Sequence, residues 1–208
     1  SQIKYMTQLT VLILAAGQGT RMCSDRPKVL HELAWQPLLQ HVINAVKPLE
    51  PERMLIVTGH GAEQVEQTFA NQAITWIRQK EQKGTGDAVR SALPALRNTS
   101  GTLLILAGDL PLIRSEILDQ MVRAHGAAGR PLTLLSTTLE HPTGYGRVVR
   151  GLDDEVQAVV EERDANAEIR TIREINSGIY LVALSHLEGW IDRLNPNNAQ
   201  GEYYLPDI

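Results

Sequence analysis

Two distant stretches nearly copy one another: residues 10–15 (TVLILA) and residues 102–107 (TLLILA). A strand with one wet face alternates apolar and polar residues. A short run that is apolar throughout must be covered on both faces, as in the strands of a helix-flanked parallel sheet. Helical spacing separates such runs. Leu38, Leu39, Val42, Ile43 and Val46 predict one helix, and residues 54–57 the next strand. Val65 and Phe69 then share a helix face, and residues 74–77 (ITWI) are strand-like. Ala88, Val89, Ala92 and Leu93 predict a helix that stops near Pro94. Ile117, Leu118, Met121 and Val122 predict another, with Ser115 as its N-cap.

After Pro131 the rhythm changes: residues 132–139, 146–150, 156–160 and 175–184 are β-rich with little helix between them. Leu187, Trp190, Ile191 and Leu194 then predict a last helix. The expected fold class is α/β, a Rossmann-like half followed by a mixed-sheet half that supplies a second pocket wall. The chain has 208 residues, enough for one domain with a substantial core. Residues 1–9 read as an N-terminal tail and 10–208 as that domain.

Charge narrows the partners. The formal net charge is -4, so no general basic field exists to hold nucleic acid, and any phosphate must be gripped locally. The single cysteine, Cys23, forms no internal disulfide and no zinc-binding pair, which fits a reducing compartment, the cytoplasm. No apolar run approaches the roughly 18 residues that span a bilayer, so membrane insertion is not expected. The N-terminus lacks the apolar core of a signal peptide.

The most informative stretch follows the first strand: Leu14-Ala15-Ala16-Gly17-Gln18-Gly19-Thr20-Arg21-Met22, then Ser24, Pro27 and Lys28. Small residues and glycines at the end of a buried strand let the backbone approach a ligand, with N–H groups directed at phosphate oxygens. In open α/β sheets ligands bind beyond the carboxyl ends of the strands, where this turn must lie. Arg21 and Lys28 add positive charge nearby. The dinucleotide fingerprint GxGxxG fails, because Met22 stands at its third glycine, and no Gly-Lys-Ser or Gly-Lys-Thr exists for a P-loop. Gly17 and Gly19 alone serve a tight strand-to-helix turn equally well. The whole spacing, through Pro27-Lys28, is more specific. Asp109 follows the second apolar run through Gly108; a lone aspartate there suits either Mg²⁺ or a turn before Pro111.

LAAGQGTRM followed by S-x-x-P-K resembles the signature of the sugar-nucleotide pyrophosphorylases. Four later segments are similar to one branch, the bifunctional bacterial N-acetylglucosamine-1-phosphate uridyltransferase/glucosamine-1-phosphate acetyltransferases. They are residues 79–86 (QKEQKGTG), 142–147 (PTGYGR), 174–178 (EINSG) and 197–204 (NNAQGEYY), in the family's order. The resemblance spans roughly residues 10–208. It implies the Rossmann-like nucleotide-diphospho-sugar transferase fold, a mostly parallel mixed sheet flanked by helices. It also implies uridylyl transfer from UTP to N-acetylglucosamine 1-phosphate, yielding UDP-N-acetylglucosamine for cell-wall precursors and pyrophosphate, with Mg²⁺ as cofactor.

By the same resemblance Leu14, Ala15, Ala16 and Gly17 run along the nucleotide. Arg21 and Lys28 steady the triphosphate, and Asp109 holds the metal; these three are the catalytic candidates. Gln79, Gly84 and Thr85 frame the uracil, with Ala107 and Gly108 beside the nucleotide. Ala107 departs from the aromatic residue common among relatives. Gly146, Glu161 and Asn176 hold the amino sugar. The family's second metal ligand, an asparagine, and its trimerising β-helix with the acetyltransferase site lie beyond residue 208. Full-length relatives are homotrimeric, and a monomer is the expectation for this stretch. His60 and His125 have no partners at ligand spacing and read as exposed or structural. Two alternatives stand beside this reading: the same chemistry with another sugar phosphate or base, and a silent nucleotide-sugar-binding domain.

Overall fold

The computed structural model describes residues 7–17, 25–110 and 112–208. Strand β1 (Leu9–Ala15) starts inside the expected tail, because Leu9 is buried and the Gln8 carbonyl accepts the Thr102 N–H at 2.9 Å. A small hairpin, β2 (Glu32–Leu33) and β3 (Gln36–Pro37), leads into α1 (Leu38–Val46). The alternation continues with β4 (Arg53–Thr58), α2 (Ala62–Thr68), β5 (Thr75–Arg78) and α3 (Thr85–Leu96). Next come β6 (Thr102–Ala107) and α4 (Ser115–Ala128). The β-rich part holds β7 (Leu132–Thr138), β8 (Arg147–Arg150), β9 (Val156–Val160), the short α5 (Ala167–Arg170) and β10 (Glu174–Ala183), followed by α6 (Leu184–Asp192).

Phe69 and Leu194, expected on helices, fall just past the ends of α2 and α6, and two further helix boundaries differ from expectation. Helix α3 runs past Pro94 to Leu96. Proline there interrupts only the last turn, and buried Ala92 and Leu96 hold that turn on the sheet. Ser115 is the first helical residue of α4, not its cap. Its hydroxyl donates at 2.7 Å to the Ala45 carbonyl and so ties α4 to α1.

The strands form one eight-stranded sheet in the order β5-β4-β1-β6-β10-β8-β9, with β7 on the other edge of β10. Strands β5, β4, β1 and β6 are parallel; β10 is antiparallel to β6, β7 and β8. Because side chains alternate across a strand, Val11, Ile13, Leu104 and Leu106 pack under α1 and α4, while Leu12, Leu103 and Ile105 pack under α3 and α6. Both faces of the central strands are therefore dry, as their unbroken apolar character requires.

Strand β10 joins the two halves by changing partner. Its edge opposite β7 pairs with β8 at Ile175↔Arg147 and with β6 from Tyr180↔Ile105 onward. Between those pairings the register against β7 slips from Asn176 to Ile179. The carboxyl end of β6 and the start of β8 face one another across this gap, and the cleft opens there.

His125 on α4 is buried, with Nδ1 at 2.7 Å from the Thr133 hydroxyl. Burial lowers its pKa from the ordinary 6.5. The unfolded chain therefore binds the proton more readily, and stability falls as pH drops below that ordinary value. Urea unfolding at pH 7.5 and pH 5.5 should show a loss of midpoint in the wild type that is smaller in His125→Gln.

Candidate functional site

A cleft of about 960 Å³ lies along this gap. Its first wall follows from register. Leu14 pairs with Ala107 in the parallel β1–β6 ladder, so the turn after β1 and the turn after β6 lie side by side. Leu14, Ala15, Ala16, Gly17, Ala107 and Asp109 all line the cleft. Gly108 does not: its N–H donates to the Leu14 carbonyl at 2.9 Å, and it packs on Val29 and Leu39. Lys28 opens a 3-10 turn, Lys28–Leu30, anchored by buried Val29 and Leu30. Its Nζ stands 2.6 Å from Asp109 Oδ2. Both side chains are partly exposed, 44% and 27%, so the pair is screened and worth about 1 kcal/mol or less. A ligand can replace it cheaply. Arg21 lies outside the described residues.

The second wall is the loop before α3. Gln79, only 7% exposed, donates its side-chain NH₂ to Asp87 Oδ2 at 2.8 Å. Gly84 has φ +99°, and a side chain there would meet the Tyr203 carbonyl at 2.6 Å. That close approach exists because the C-terminal segment is stitched to the loop: Gly86 N–H donates to Tyr203 O, Tyr203 N–H to Lys83 O, and Leu205 N–H to the Thr85 hydroxyl. Gly84 and Thr85 line the cleft as expected. So does Gln82, which the sequence reading passed over; its side-chain NH₂ donates at 2.7 Å to the Ala16 carbonyl and braces this loop to the first turn.

Gly146, Glu161 and Asn176 meet at the far end, brought together by three strands. Asn176 N–H donates to the Gly146 carbonyl at 2.9 Å, and a side chain on Gly146 would press on Glu161 Oε1 at 3.1 Å. The Asn176 side chain is oriented from both sides. Its Oδ1 accepts the Gly178 N–H at 2.8 Å, and its NH₂ donates to the Tyr180 hydroxyl at 2.7 Å. Behind them lies a residue that the sequence reading did not single out, Arg147, 1% exposed. It donates to the carbonyls of Tyr145 and of Ile172 (2.9 Å) and pairs with Glu162 at 2.7 Å. The pairing holds the Glu162 carboxyl below the usual carboxylate range. The available signal was a charged residue opening a strand inside the PTGYGR segment.

Burial pushes the Glu161 carboxyl up, and Asp164, Asp207 and Glu202 add to the effect by repulsion. Its end of the cleft therefore gathers carboxylates beside Arg163, which also lines the cleft, while the Lys28 end holds the Lys28–Asp109 pair. Among the described residues no three His, Cys, Asp or Glu side chains converge as a metal cage. His60 is exposed and His125 is structural.

A model of the MobA-like NTP transferase domain matches residues 11–176. The bifunctional protein GlmU of Cellvibrio japonicus (strain Ueda107) is 50% identical over 200 residues, 96% of this chain and 44% of its own length. That of Nitrosomonas europaea is 47% identical over 205 residues, 98% of this chain and 44% of its own. The chain thus spans less than half the length of these relatives. Among solved structures, a UDP-glucose pyrophosphorylase complexed with UDP-glucose superimposes with a TM-score of 0.78 at 20% identity, over 96% of this chain and 84% of its own. HddC from Yersinia pseudotuberculosis complexed with GMP-PN gives 0.68 at 18%, over 98% and 84%. At such identities the likeness establishes the fold alone.

A raised carboxyl pKa means that the folded state holds the proton more tightly than the unfolded chain. The associated stability is present at low pH and lost as pH rises through the raised value. At pH 8 the ionised Glu161 is therefore a net destabilising group. Glu161→Gln should raise the melting temperature at pH 8 by about 2–4 °C, the shift that ~1 kcal/mol makes in a domain of this size. The gain should shrink toward pH 4.5, which differential scanning calorimetry at the two pH values checks.

Proposed function

The chain belongs to the MobA-like NTP transferase domain family, and on that premise we propose that it transfers the uridylyl group of UTP to N-acetylglucosamine 1-phosphate, giving UDP-N-acetylglucosamine and pyrophosphate. One observation carries the reading: a single cleft joins a glycine turn flanked by Lys28 and Asp109 to an amide-and-carboxylate pocket of Asn176 and Glu161. The first end suits a triphosphate, the second an uncharged polyhydroxylated ring. The choice of amino sugar follows the motif resemblance and the 50% identity to a bifunctional GlmU.

The chemistry asked of the protein is alignment and charge neutralisation. The phosphate oxygen of the sugar 1-phosphate attacks the α-phosphorus of UTP. The bond from that phosphorus to the β-bridging oxygen breaks, and its electron pair leaves with pyrophosphate. The sugar phosphate is itself the nucleophile, so no enzyme-bound intermediate is required. Among the described residues Lys28 is the cation that lines the cleft with the β1 turn and pairs with Asp109; a triphosphate entering the cleft exchanges Asp109 for phosphate oxygens as its partner. Gly17 offers main-chain N–H to the same anion. Glu161 and Asn176 receive the sugar hydroxyls and the N-acetyl group, with Arg147 holding their strands in register.

A divalent ion fits this donor set only in part. Mg²⁺ takes one or two carboxylates and completes its shell with phosphate oxygens and water; Asp109 is such a carboxylate, at the cleft and beside the turn. Asp109 would hold the ion, which when bound neutralises charge on the phosphates. Cytoplasm is the proposed compartment, in keeping with the lone cysteine. Among the described residues no helix is long and apolar enough to cross a membrane.

Incubation with UTP, N-acetylglucosamine 1-phosphate and Mg²⁺ should release pyrophosphate, and Asp109→Ala should cut the rate by about 100-fold or more. Saturable UDP-sugar binding without any turnover would make this a binding module instead. Turnover with glucose 1-phosphate but not the N-acetyl sugar would overturn the sugar assignment and leave the chemistry standing.

A further inference from the structure

We propose that Asp87, which does not itself line the cleft, sets the choice of base by locking the Gln79 amide with its carbonyl oxygen toward the nucleotide. The inference rests on the uridylyl reading above only in that the base lies against Gln79. A glutamine amide carries an acceptor and a donor of nearly equal size, so it can present either to a ligand unless a neighbour tells them apart. Here the neighbour does. An ionised carboxylate accepts hydrogen bonds and donates none, so the Gln79 NH₂, 2.8 Å from Asp87 Oδ2, must face it. The Gly84 carbonyl, 3.5 Å from the same nitrogen, is a second acceptor on that side. With Gln79 only 7% exposed, water has little access to compensate a reversed amide.

Asp87 is itself held. It sits in the first turn of α3, where the helix dipole favours an anion. Its Oδ1 lies 3.7 Å from the Arg90 guanidinium. Arg90 in turn donates to the Ile191 carbonyl at 3.1 Å and lies over the Tyr203 ring, 4.5 Å from its centroid. The chain Tyr203–Arg90–Asp87–Gln79 therefore carries one orientation from the C-terminal segment to the base.

What remains for the ligand is Gln79 Oε1, an acceptor. Uracil matches it with the N3–H between its two carbonyls. Cytosine opposes it, because N3 there is a bare lone pair. The site thereby prefers uridine to cytidine nucleotides through a carboxylate that never meets the base.

The test measures UDP and CDP affinity by calorimetry in wild type, Asp87→Asn and Asp87→Ala, with the UTP:CTP ratio of kcat/KM as a second readout. Wild type should favour UDP. Both variants should narrow the UDP:CDP ratio about tenfold, roughly one lost charged hydrogen bond, through weaker UDP and stronger CDP binding. The KM for the sugar phosphate should stay within twofold, taking tenfold as the effect sought. A purely structural role for Asp87 weakens both nucleotides equally; an unchanged ratio in both variants overturns the proposal and leaves the uridylyl reading intact. Wild-type protein with no preference for UDP overturns the base reading, and the role of Asp87 with it.

Discussion

Everything at the site depends on one strand sharing its edge between two partners. β10 pairs with β7 on both sides of a slip between Asn176 and Ile179, while its opposite edge serves β8 at one end and β6 at the other. A sheet that paired this edge without interruption would bring β6 and β8 end to end and leave no room for a ligand. The slip between Asn176 and Ile179 accompanies the open edge, and backbone groups that the ladder gives up are satisfied locally: Gly178 N–H donates to Asn176 Oδ1, and Ile179 N–H to the Ser177 hydroxyl. The wall at the β1 and β6 turns and the wall at Gly146, Glu161 and Asn176 are thus two parts of one sheet, joined by a continuous backbone.

Electrostatics then divides that space. A chain with net charge -4 attracts anions only where a cation is presented locally. Lys28 does this beside the β1 turn, and its ion pair with Asp109 keeps the ammonium in place at small cost to any phosphate that displaces it. The other end concentrates carboxylates, with Glu161 desolvated among Asp164, Asp207 and Glu202. The two ends of the cleft therefore differ in charge, with the Lys28–Asp109 pair at one and several carboxylates beside Arg163 at the other. Arg147 is buried behind this second end: its guanidinium faces backbone carbonyls and Glu162, fixing the strands without facing the ligand.

Much of this was legible in the sequence, for identifiable reasons. Strands β1 and β6 announced themselves because a run dry on both faces cannot alternate. Helix faces followed from spacing such as Leu39, Val42, Ile43 and Val46, all buried. Of the described residues expected at the site, all but Gly108 line the cleft, since motif segments fall at strand ends. What escaped depended on three-dimensional register. Pro94 looked like a stop because the burial of Leu96 was not visible. Ser115 looked like a cap because its partner, Ala45, is remote in sequence. The four-residue α5 has too little periodicity to detect, and rests on the Asn166 side chain accepting the Ile169 N–H. Lys28 and Asp109 could be nominated separately, but their pairing follows from Leu14 lying opposite Ala107.

The loop before α3 shows most clearly how local motif and distant chain combine. The segment QKEQKGTG reads as a turn that opens a helix, and its glycines alone would permit many shapes. Its actual shape is set from outside. Tyr203 donates to Lys83 and accepts from Gly86, Leu205 donates to Thr85, and Gln82 reaches Ala16. Gly84 must be glycine because the Tyr203 carbonyl occupies the space of a side chain. The shape of this part of the cleft is therefore a property of three separate stretches: the β1 turn, the loop before α3 and residues 202–205. A loop held on both sides in this way has few conformations left to lose on binding, so its polar groups are ordered before any ligand arrives.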